Sequence, residues 1–91
     1  PYFVVDRFEL QEPHAFQTAD QSGKNSVQII VVVKGCAVIE AEGMELATAA
    51  MGDAVAVPAS VGGFEVRPQW GVELLRAYVP GQTLPEPVTK I

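Results

Sequence analysis

The stretch SVQIIVVV, residues 26–33, constrains this chain most. Its β-branched side chains are stiff in a helix and pack well on a pleated surface. Polar, turn-forming DQSGKN precedes it, and Lys34 and Gly35 follow. A run this apolar, with no long polar gap, predicts a strand covered on both faces or one crossing the middle of a sandwich.

The rest of the chain reads the same way. Residues 2–10, YFVVDRFEL, predict a strand, and the proline in QEPH breaks it because proline supplies no ladder donor. Residues 15–19 predict a short second strand. Lys34 and Gly35 are expected to reverse the chain, with CAVIEAE (36–42) as the returning strand and Gly43 as the next turn. In MELATAA a strand over 44–47 is expected to loosen afterwards, since alanine favours helix but seven residues are few for one. MGD turns, AVAVPA (54–59) is a strand stopped by its proline, and FEVRP (64–68) alternates. QWG is expected to turn, and VELLRAYV (72–79) is the last strand. Short strands at regular spacing imply an all-β fold, a sandwich or small barrel of about seven to eight antiparallel strands. Residues 1–80 form the expected domain, with 81–91 as a proline-rich C-terminal tail.

Charge and cysteine usage narrow the partners. Eleven acidic residues against six basic ones give a net charge of −5, which argues against nucleic acid and against an anionic membrane surface. No apolar run approaches the roughly 20 residues of a membrane-spanning helix. Cys36 is the only cysteine, so no internal disulfide forms. The opening residues carry no secretory-leader pattern, and a reducing, cytoplasmic location is expected.

Gly35, then Gly52, Asp53 and Pro58 at the spacing G…GDAVAVPA, resemble the two motifs of the cupin jelly roll. The first motif of that family ends in glycine, and the second runs from glycine and aspartate to proline. More narrowly, PYFVVDRFEL, VVVKGCAVIE, MGDAVAVPAS and VELLRAYVP together resemble the C-terminal jelly-roll domain of class I mannose-6-phosphate isomerases, across nearly the whole chain. Each motif residue also has a role in the fold alone. Glycine takes positive φ in tight turns, aspartate beside it caps a turn, and proline ends a strand where no donor is needed.

Metal-binding cupins hold their ion with two histidines and a glutamate of the first motif and a histidine of the second. Carried onto this chain, the glutamate position falls on Gln28. The two histidine positions fall on Ser22 and Lys24, or on Gln21 and Gly23. The closing glycine of the second motif falls on Ser60 and its histidine on Gly63. Every ligand position departs from the pattern. The chain has one histidine, His14, and one cysteine, where zinc and iron favour clustered imidazole, thiolate and carboxylate ligands. Cys36 is expected to pack as a small hydrophobe, and Glu40, Glu42 and Glu45 to form a solvated acidic face. No metal and no catalytic residue is therefore expected in this chain.

The remaining candidates are ligand-binding. Alternation puts Val72, Leu74, Arg76 and Tyr78 on one face. An arginine on an apolar face needs a carboxylate or carbonyl partner, and is expected as a structural ion pair or as the charged group of a ligand cavity. Trp70, between Gln69 and Gly71, is expected as a ring folded over one end of the domain or as an exposed stacking surface. Trp70, Arg76 and Tyr78 are thus the candidate ligand-binding residues.

The resemblance implies a non-catalytic C-terminal domain of an enzyme that interconverts mannose 6-phosphate and fructose 6-phosphate. Zinc and the catalytic groups are then expected in an N-terminal cupin domain of the same polypeptide, which would be this domain's partner. The alternatives are a free-standing, metal-free module binding a sugar or other small molecule, and a structural domain that forms a homodimer through the apolar strand at 27–33.

Overall fold

The computed structural model describes residues 4–19, 25–78 and 89–90. Its elements are strands β1 (Val4–Leu10), β2 (His14–Gln17), β3 (Gln28–Ala41), β4 (Met44–Ala50), β5 (Ala54–Val57), β6 (Gly63–Tyr78) and β7 (Thr89–Lys90), with one 3₁₀ turn at Ala59–Val61. All the strand pairings are antiparallel, in one seven-stranded sheet ordered β1-β6-β3-β5-β7, with β2 also on β6 and β4 also on β3. The all-β expectation holds. Among the described residues no pairing joins the two outer edges, so the sheet is open and not closed into a barrel. No described helix is long and apolar enough to cross a membrane.

Two long strands organise everything else. The expected reversals at Lys34 and Gly35 and at residues 69–71 do not occur: β3 runs through the first and β6 through the second. The two strands stay paired on both sides of these positions, with register shifts between Val32 and Lys34 and between Gly35 and Cys36. Glycine's positive φ here inserts a bulge that bends the ladder without ending it. Gly35 has φ 82°, and an added Cβ there would run into the Gly71 carbonyl oxygen. β4 likewise continues to Ala50, beyond the expected loosening, because Ala47 to Ala50 all pair along Cys36 to Ile39, past a register shift at Leu46, and sheet pairing outweighs alanine's helix preference.

The bend doubles the sheet over. β1 lies along the second part of β6 and β2 along the first part, with Phe8 opposite Leu74 and Phe16 opposite Phe64. On a straight β6 those positions would stand about 33 Å apart, at ~3.3 Å per residue. The Phe8 and Phe16 rings instead meet edge to face at 4.9 Å between centroids. One half-sheet therefore holds β1, the second part of β6, the first part of β3 and β5. The other holds β2, the first part of β6, the second part of β3 and β4. Leu10, Ile30, Val32, Val55, Val57, Val72 and Leu74 from the first join Phe16, Ala37, Ile39, Ala49, Phe64 and Val66 from the second in one buried cluster. The inward parity of β3 switches across its bulge, from Ile30 and Val32 to Ala37 and Ile39, so both halves keep an apolar face toward the core.

The apolar run at 27–33 is central, as its composition predicts. Residues 28–31 pair with β6 on one side and β5 on the other. That leaves no free edge at 28–31 for a second copy to pair with. Its outer face is only partly covered, with Ile29 and Val31 half-buried and Val33 exposed. At the turn after β4, the Asp53 amide donates to the Ala50 carbonyl and the Asp53 carboxylate accepts from the Ala50 amide, both at 2.9 Å, while Gly52 takes φ 93°. Pro58 precedes the 3₁₀ turn. Of the expected tail, Thr89 and Lys90 pair with Ala56 and Val55; the rest of 81–91 lies outside the described residues.

Candidate functional site

The two half-sheets part at the end that carries Asp6, Gln28 and Tyr78, and a cavity of about 320 Å³ opens between them. Strand parity builds its wall. In β1 the more buried positions are Val4, Asp6, Phe8 and Leu10, so Asp6 and Phe8 face inward. In β6 the buried parity of Val72 and Leu74 continues to Arg76 and Tyr78. Asp6 lies directly across from Arg76, and Gln28 directly across from Tyr78. β2 contributes Phe16 and His14 from the opposite half-sheet.

Arg76 is the organising group. Its Nη2 donates to Asp6 Oδ2 at 2.6 Å, and its side chain is 19% exposed against 42% for Asp6. The guanidinium carbon lies 5.5 Å from the centroids of Phe8 and Phe16 and 5.1 Å from Tyr78. Ring faces at this range attract a cation by about 0.5–2 kcal/mol each, more as water is excluded. His14 closes the cluster, 4.7 Å from Phe16 and 5.6 Å from Phe8.

Two polar atoms in this wall have no hydrogen-bond partner among the described residues. Arg76 Nε and Gln28 Oε1 are buried and unbonded, although Gln28 as a residue is only 1% exposed. Among the described residues the Gln28 amide makes long contacts, from Nε2 to the Ser26 carbonyl at 3.5 Å and to Ser26 Oγ at 3.4 Å. A buried donor or acceptor left unsatisfied costs about 1–3 kcal/mol. Both residues line the same cavity.

Two other grooves differ from this one in chemistry. One runs along the bend beside Glu9, Lys34, Gly35 and Glu73. The other lies at the far end beside Glu40, Glu65 and Arg67. Their charges face water in pairs: Arg7 binds Glu73 at 2.9 Å and Glu9 at 2.8 Å, and Arg67 lies 3.4 Å from both Glu40 and Glu65. The Arg7 guanidinium, by hydrogen bond and charge, holds the Glu73 carboxyl below its ordinary value, and Glu73 in turn raises Arg7.

Of the candidate ligand residues, Arg76 and Tyr78 line the cavity between the half-sheets, and Trp70 does not. Trp70 sits on the β6 bulge at the bend, fully exposed and with φ 76°. Its expected role as a ring folded over one end is not what the chain does. The turn expected there is a bulge, which throws the side chain outward. Cys36 is half-exposed, and its thiol donates to Gln69 Oε1 at 2.8 Å, so it does not pack as a core hydrophobe. Among the described residues no three His, Cys, Asp or Glu side chains gather where they could hold a metal ion. Ser22, Lys24, Gln21 and Gly23 lie outside the described residues.

Sequence reasoning missed Asp6, Phe8, Phe16 and Gln28 as parts of one wall. The signals were a carboxylate at the inward parity of Val4, Phe8 and Leu10, and a lone amide at the inward parity of Ile30 and Val32. What they would meet depends on the fold-over, which alternation alone does not specify. No family model matches the chain, and neither a curated protein nor a solved structure matches it.

Proposed function

We propose that this chain is the non-catalytic C-terminal β domain of a mannose-6-phosphate isomerase, folded as an open variant of the cupin jelly roll. The observation that carries the reading is where Gln28 stands. It occupies the position at which the resemblance puts a metal-binding glutamate, and it faces the cavity between the half-sheets. An amide there is a weak metal ligand beside a carboxylate, so the cavity keeps its location and loses its ion chemistry. The bends at Gly35 and at Gly52 and Asp53 coincide with the other motif residues. In this reading the zinc and the proton-transferring groups belong to an N-terminal cupin domain, and this domain packs beside it and helps shape its cleft.

The test is the intact mass of the native polypeptide from cell extract, with zinc and aldose–ketose isomerase activity measured on the same sample. A substantially longer, zinc-containing, active polypeptide is expected. A metal-free product of this chain's own mass overturns the reading in favour of a free-standing ligand-binding module.

A further inference from the structure

We propose that the cavity between the half-sheets binds a neutral ring bearing several hydroxyl groups, a monosaccharide or cyclic polyol. This goes beyond the isomerase reading and does not depend on it. Arg76 Nε needs an acceptor, and Gln28 Oε1 needs a donor. Turning the Gln28 amide over would let Oε1 accept from the Ser26 hydroxyl and leave Nε2 as the group in need. A hydroxyl both donates and accepts, so it serves either orientation, and a ring that carries several offers one to Gln28 and another to Arg76.

Charge decides against an anion. The Arg76 guanidinium is already met by Asp6 at 2.6 Å, so a phosphate or carboxylate entering here would approach that carboxylate too. The rings of Phe8, Phe16 and Tyr78 gather around the guanidinium and also line the cavity, so a saturated ring held by Arg76 and Gln28 would lie beside apolar ring atoms. The volume, about 320 Å³, is at the small end of ligand cavities, which run from roughly 300 to 1,000 Å³.

The experiment is a titration of the ¹⁵N-labelled chain with D-glucose, D-galactose, myo-inositol and, as the anionic arm, D-glucose 6-phosphate, followed by amide chemical shifts. Saturable shifts at Phe8, Phe16, Gln28, Arg76 and Tyr78 with a neutral ring are expected. Gln28→Leu, similar in volume but unable to hydrogen bond, should weaken them about tenfold. Phe8→Leu, on a half-buried ring, should also weaken binding, and it answers the question if the first variant loses its dispersed spectrum. Three outcomes overturn the proposal: no saturable shift with any neutral ring, shifts gathered at the bend instead, or tenfold tighter binding of the phosphate ester. The mass and zinc measurement above is unaffected by any of them.

Discussion

Arg76 and Asp6 face each other across the β1–β6 ladder, seventy residues apart in sequence and joined by a 2.6 Å hydrogen bond. The arginine is the more buried partner. Removing the carboxylate therefore strands a charge that water reaches poorly, while removing both charges leaves an apolar wall. Asp6→Asn is expected to lower stability by about 1–3 kcal/mol, scaled down from a fully buried pair because Asp6 is partly exposed. The double change to Asp6→Asn with Arg76→Leu should recover much of that loss. Urea unfolding of the native chain, Asp6→Asn, Arg76→Leu and the double variant checks this; a double variant as weak as the sum of the two single changes would show that the pair is not coupled.

The bend makes a sharper demand. Gly35 combines a positive φ with a carbonyl oxygen of Gly71 in the way of any Cβ, whereas Gly43, at φ 76°, has open space around it. Gly43→Ala should cost about 1–2 kcal/mol, the conformational penalty alone. Gly35→Ala adds a clash with backbone that cannot swing aside, and is expected to cost at least ~3 kcal/mol or to prevent folding. Equal unfolding midpoints for the two variants would refute the close packing at the bend.

Trp70 presents the reverse case. It holds a left-handed φ of 76° that a bulky side chain adopts at a cost, and it contributes no burial in return. Trp70→Gly is expected to stabilise the isolated chain by up to about 1 kcal/mol. Thermal unfolding measures it. A clear loss of stability would mean that the indole is held by contacts its full exposure denies.

The Arg7–Glu73 pair predicts a dependence on acidity. The folded Glu73 carboxyl lies below its ordinary value of 4.5, through the hydrogen bond and charge of Arg7. Below 4.5 the unfolded chain takes up this proton before the folded one does, so stability falls with pH through that window. The contribution is fully present at neutral pH and gone once the folded carboxyl is protonated. The difference between the native chain and Glu73→Gln in urea midpoint should be largest at neutral pH and vanish in strong acid. A constant difference would assign the effect to packing.

Much of this fold is legible in local pattern. The alternation in VELLRAYV puts Arg76 and Tyr78 inward, and the run at 28–33 is a central strand because nothing polar interrupts its inner face beyond Gln28. What the pattern conceals is the difference between a turn and a bulge. Lys34 with Gly35, and Trp70 with Gly71, have the composition of reversals, yet each strand keeps its partner on both sides. Only the partner strand decides this, and it lies far away in sequence. The cavity wall is hidden for the same reason: Phe8 and Phe16 touch because two bulges coincide, and Asp6 finds Arg76 because the first and last long strands pair.

That last pairing has a consequence for synthesis. β1 and β2 have β6 as their sheet neighbour, and among the described residues β6 is the last long strand in chain order. A nascent chain that has left the ribosome as far as Pro58 carries two strands whose template does not yet exist. Their apolar faces stay uncovered until β6 has emerged, so the rate at which residues 63–78 are made sets how long these two strands are exposed to wrong partners.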